Sequence, residues 1–117
     1  MYGDDIIRIV AEYYHIPVDV VKSHSKFNKI IECRQISMYF MREYTELSLN
    51  DIGSYFQGKN KFKDHSSVLA AVNKVKNFMD IYPAFHAKVN NIRAILAGVV
   101  LASKLGDEVF QENDFYN

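Results

Sequence analysis

The stretch from Ser48 to Val75, SLNDIGSYFQGKNKFKDHSSVLAAVNKV, constrains this chain more than any other. Ser48 can cap a helix running from Leu49 to about Phe56 that buries Leu49, Ile52 and Phe56, with Gly53 small enough for close packing and Gly58 as its stop. A lysine-rich loop, KNKFK, follows, in which Phe62 can anchor on the core, the favoured reading, or stack on a base. Asp64 or Ser66 can then cap a second helix with Val68, Ala71, Val72, Val75, Phe78 and Met79 on its inner face. Two helices so connected, with His65, Ser66 and Ser67 exposed in the first turn of the second, follow the pattern of a helix-turn-helix.

The rest of the chain is also helical in period. Ile6, Ile7, Val10, Tyr13 and Tyr14 form one stripe over Asp4 to Tyr14, which Pro17 stops. VDVVKS allows one further turn, and SHSKFN reads as a loop. From Asn28 to Glu46, Cys33, Ile36, Phe40, Tyr44 and Leu47 recur at three- and four-residue spacing, leaving Arg34, Gln35 and Arg42 largely off that stripe. Pro83 breaks the chain, Phe85 to Leu105 forms a long helix, and Gly106 ends it. The acidic tail, 107–117, has the composition of a disordered segment. No alternating strand pattern of useful length and no repeat is visible. The expected fold is all-α, a single domain over 1–106 with about six helices, and eight Tyr with eight Phe promise an aromatic-rich core.

Net charge is zero, but its distribution is uneven. Residues 22–42 carry Lys22, Lys26, Lys29, Arg34 and Arg42 against Glu32, and residues 59–76 carry five lysines against Asp64, so each block is net +4. Two basic blocks on a neutral chain suggest one nucleic-acid face. The single cysteine, Cys33, excludes an internal disulfide and sits on an apolar stripe as a buried thiol. MYGDDII does not resemble a signal peptide, and AILAGVVLA is too short to span a bilayer, so a cytoplasmic protein is expected.

Catalytic and cofactor chemistry find no support. GSYFQGKN mimics a phosphate loop but has Asn60 where a magnesium-binding hydroxyl belongs and no preceding strand, so no nucleotide is expected. The histidines and Cys33 have no metal-ligand spacing. His65 and Ser66, adjacent on a helix, diverge by about 100°, which does not suit a nucleophile and its base. No enzyme, cofactor or metal is expected.

Four blocks, IVAEYYHIPVDVV, SHSKFNK, CRQISMYFMREYTELSLNDIGSYF and DHSSVLAAVNKV, together resemble the C-terminal DNA-binding domain of the bacterial replication initiator DnaA, over about residues 6–79. The resemblance implies an all-helical fold similar to the Trp repressor-like helix-turn-helix, with an extra helix at 85–105. It places Asp64, His65, Ser66 and Ser67 in the major groove of double-stranded DNA and Lys26 in the minor groove, where the family has arginine. It places Arg34, Gln35 and Arg42 on the phosphate backbone, to which the charge pattern adds Lys29, Lys59, Lys61, Lys63 and Lys74. QGKNKFK is longer than the family's loop, and lysine at 26 lacks arginine's planar fork.

The chain holds no counterpart of the ATPase domain that precedes this module in the family, so a stand-alone DNA-binding protein is expected, of bacterial, phage or mobile-element origin. Its role would be in replication-origin binding or transcriptional regulation. The alternative is a protein-interaction module that kept the fold and lost specific DNA reading. The apolar helix over 92–105 is expected to complete the core, or on that alternative to carry a protein partner or a homodimer contact.

Overall fold

The structure is a computed structural model that describes the backbone of residues 2–58, 61–62 and 64–116, and the side chains of 2–56 and 64–102. Among the described residues six helices follow one another: α1 (Gly3–Tyr14), α2 (Val18–Lys22), α3 (Asn28–Tyr44), α4 (Leu49–Ser54), α5 (His65–Ile81) and α6 (Pro83–Tyr116). The all-α reading therefore holds. One feature was not legible in the sequence: between α4 and α5, β1 (Gln57–Gly58) pairs antiparallel with β2 (Lys61–Phe62), Gln57 opposite Phe62 and Gly58 opposite Lys61. A hairpin brings the ends of an insertion together, so the long connection does not pull α4 away from α5.

Helix α3 runs through the middle, packed against α1, α2, α4 and α5, while α6 lies across α5 and α1. Ile6, Ile7 and Val10 from α1, Cys33, Ile36 and Phe40 from α3, Ile52 from α4, Val68 from α5, and Ile92 and Leu96 from α6 are fully buried together. Cys33 is the buried thiol its stripe predicts, and burial pushes its pKa up to about 12. Gly3 enters this packing because it has no side chain. A Cβ there would lie 2.8 Å from Met41 Cε and 2.8 Å from the Tyr55 ring.

Three helix boundaries, and the cause of a fourth, differ from the sequence reading. Helix α1 is ended by His15, in the left-handed conformation (φ 57°, ψ 40°), with the Ile16 N–H reaching back to the Ala11 carbonyl at 3.0 Å; Pro17 comes after the stop. Helix α4 closes at Tyr55, whose N–H turns back to Ile52, so Gly58 serves the hairpin and not the helix end. Pro83 opens α6, where a proline's missing N–H costs nothing. Gly106 does not end that helix, which continues to Tyr116. A glycine inside a helix costs only about 1 kcal/mol relative to alanine, too little to stop one unaided. Phe78 and Tyr44, both read as core, are each 36% exposed.

The added helix is tied on by charge as well as packing. Lys88 Nζ lies 2.9 Å from Glu32 Oε2, which also accepts from the Tyr14 hydroxyl, and Arg93 donates to Glu43 and, at 2.8 Å, to the Tyr39 hydroxyl. Burial pushes the Glu32 carboxyl upward, but the Tyr14 and Lys88 hydrogen bonds and the Lys88 and Lys29 charges outweigh it and hold the group below the ordinary carboxylate range. A carboxylate depressed in the folded state stabilises it above the unfolded value, about 4.3, and loses that contribution as pH falls through the folded value. Glu32→Gln is accordingly expected to melt lower than the parent protein above about pH 5. The gap should narrow on acidification in thermal scans followed by circular dichroism; a gap independent of pH would remove Glu32 ionisation as its cause.

Candidate nucleic-acid interface

The helix pair is positioned from both ends of α4. Ser48 Oγ accepts the Asp51 N–H at 3.0 Å while Asp51 Oδ2 accepts the Ser48 N–H at 3.4 Å, which fixes where α4 begins. Ile52 and Phe56 then lie fully buried with Val68 in the same core. Asp64 takes the N-cap of α5, its Oδ1 accepting the Ser67 N–H at 2.8 Å. Because Val68, Ala71, Val72 and Val75 face the core, the opposite side of α5 is forced outward.

Asp64, His65, Ser66 and Ser67 are all exposed, as the sequence predicts. Against the expected divergence of neighbours on a helix, His65 Nε2 and Ser66 Oγ lie 3.4 Å apart, because both side chains extend past the open end of α5 and form a small polar group there. The N-terminal end of a helix carries partial positive charge, here met in part by the Asp64 carboxylate that caps it. Sequence reasoning overlooked Leu69, which is 45% exposed one turn beyond His65. An apolar residue at an outward position of α5 was the available signal. Further along, Lys74 is exposed and shares a face with Ser67, seven residues and about 10.5 Å apart along the axis.

The second half of the site is the loop between α2 and α3. Ser23 Oγ accepts the Ser25 N–H at 3.2 Å, Ser25 Oγ accepts the Phe27 N–H at 3.4 Å, and these turns present Lys26 and Phe27 to solvent. Lys29 is exposed in the first turn of α3, with Nζ 5.9 Å from the Tyr14 ring centre. A cleft of about 250 Å³ joins this side of the molecule to α5, lined by Asn28, Glu32 and Gln35 of α3, Lys74 and Phe78 of α5, and Phe85 of α6. The structure thus brings Gln35 and Lys74 together. Arg42 is exposed at the other end of α3.

Arg34 is placed differently from expectation. It is only 6% exposed, and its guanidinium donates to the Val21 carbonyl (Nε, 2.9 Å) and to the Ser25 carbonyl (Nη2, 3.1 Å). The helical period was misleading because α3 is surrounded on several sides, so an off-stripe position is still interior. Buried and engaged in this way, Arg34 supports the loop that carries Lys26 and does not offer its charge to a surface phosphate. Lys22 likewise pairs with Asp4 at 2.9 Å, so the outward charge of the first block rests on Lys26, Lys29 and Arg42. Lys59 and Lys63, and the side chain of Lys61, lie outside the described residues.

Among the described residues no cluster of histidine, cysteine or carboxylate side chains could hold a metal ion, and no helix is long and apolar enough to cross a membrane. A model of the family described as bacterial dnaA protein helix-turn-helix matches residues 3–75. Chromosomal replication initiator proteins DnaA are similar over most of the chain. The one from Bacteroides thetaiotaomicron is 30% identical over 80% of it, and the one from Enterococcus faecalis 38% identical over 74%. That of Streptococcus mutans is 41% identical over 65%. The matched segments span 19%, 19% and 16% of those relatives' own lengths. With the family's helix pair, its capped second helix and its match over most of the sequence all in place, this chain belongs to the bacterial DnaA helix-turn-helix family.

Proposed function

We propose that this protein binds double-stranded DNA sequence-specifically, with the first turn of α5 in the major groove and the Ser23–Phe27 loop in the adjacent minor groove. The observation that carries the reading is the outward Asp64–Ser67 turn, held by a helix pair that packs into the core through Ile52, Phe56, Val68 and Val72. Asp64, His65, Ser66 and Ser67 offer donors and acceptors to base edges and the adjoining backbone, and Leu69 suits a thymine methyl group. Lys26 provides minor-groove charge, while Lys29, Gln35, Arg42 and Lys74, with Lys59, Lys61 and Lys63 of the lysine-rich stretch, serve the phosphates. The biological setting is replication-origin binding or transcriptional regulation, the first in keeping with the names of its relatives.

Selection of bound duplexes from a random library tests binding and specificity together. A single enriched motif is expected, and uniform recovery would refute specific reading. On the selected site, Lys26→Ala should weaken binding and lower the slope of log affinity against log salt by about one, the signature of one lost phosphate-neutralising cation. An unchanged slope would remove Lys26 from the interface.

A second reading has its own observation. Ile95, Val99 and Leu101 are 42%, 41% and 57% exposed on α6, which suits a protein-interaction module. Failure to shift any duplex at low salt would favour it.

A further inference from the structure

Phe27 is the least explained residue of the α2–α3 loop. Its side chain is 77% exposed, and among the described residues it makes no ring contact with another aromatic or a cation. It stands at the N-cap of α3, where serine, threonine, aspartate or asparagine would bond the free N–H groups, and it forms no such bond. Phe27 therefore contributes neither a cap nor packing. The loop around it is nonetheless well held, since Arg34 donates to Val21 and Ser25 from below and the Ser23 and Ser25 hydroxyls brace the turns. A residue that breaks the local rule in an ordered segment, flanked by exposed Lys26 and Lys29, has the character of a contact residue.

We infer that Phe27 is a minor-groove wedge: as Lys26 enters the minor groove, the Phe27 ring inserts against or between neighbouring bases, partly unstacks one step and bends the duplex. Apolar side chains act in this way in minor-groove proteins, and the bend brings more protein surface onto the DNA. Pyrimidine–purine steps unstack most readily, so the wedge adds a preference for such a step at the loop's end of the site. This rests on the DNA-binding reading above and extends it to a residue that needs no charge to act.

The test measures affinity, salt dependence and duplex bend on the selected site, the bend by energy transfer between dyes at the duplex ends. Phe27→Ala is expected to bind about tenfold more weakly, with an unchanged salt slope, an unchanged melting temperature and a straighter duplex. Phe27→Leu, still apolar and bulky, should keep most of the bend. Equal affinity and equal bend for Phe27→Ala and the parent protein would overturn the wedge while leaving DNA binding intact. Absence of any duplex binding by the parent protein would overturn both.

Discussion

Replacing His65 and Ser66 together with alanine is expected to lower affinity for the selected site by about a hundredfold while leaving weak, salt-dependent binding to unrelated duplexes unchanged. Each good base contact discriminates by roughly 1–3 kcal/mol, so losing two brings specific binding down toward the non-specific floor. Stability should hardly move, because both side chains are exposed and the cap is supplied by Asp64. Competition titrations with the selected and scrambled duplexes, run beside thermal melts, separate these effects. Equal loss on both duplexes would make the pair phosphate ligands, and no loss on either would put the recognition surface elsewhere.

Much of the fold was legible because its signals are local. The Ser48 and Asp64 caps are written as Ser-x-x-Asp and Asp-x-x-Ser, and both bond as the pattern requires. The inner face of α5 follows from residues three and four apart, and the outward position of its first turn follows from that face. What was not legible depends on neighbours distant in sequence. Whether Arg34 is interior or exterior depends on α2 folding back over α3, which no spacing within α3 reports. The hairpin between α4 and α5 has strands of two residues each, too short for any periodicity to show. His15 ends α1 through a backbone conformation that residue identity seldom signals outside glycine.

The same distinction governs the candidate site. The proposed recognition turn is carried by a contiguous segment, so its cap and its outward position could be read off in order. The loop carrying Lys26 depends on Arg34, eight residues further along, and on Val21 before it, so its order is a tertiary property. A cation taken for a phosphate ligand in the linear reading is part of the frame that orients another cation. Such a residue is costly to lose in a way that a surface lysine is not.

Arg34→Lys is therefore expected to behave as a loss. Lysine retains the positive charge but lacks the planar fork that donates from Nε and Nη2 to two carbonyls at once. Hydrogen bonds to charged groups contribute about 1.5–3 kcal/mol each. With the second carbonyl left unpaired and an ammonium harder to desolvate, the substitution should cost about 2–4 kcal/mol of stability. In a domain of this size that lowers the melting temperature by about 10 °C. Affinity for the selected site should fall as well, since the Ser23–Phe27 loop loses its support, and adding Lys26→Ala should then cost less than it does in the parent protein because the two act through the same contact. A phosphate ligand at position 34 would give the opposite pattern: stability unchanged, most affinity retained by lysine, and additive effects of Lys26→Ala. Melting curves of the four proteins in this cycle, with their affinities at two salt concentrations, decide between a buried support and a surface ligand.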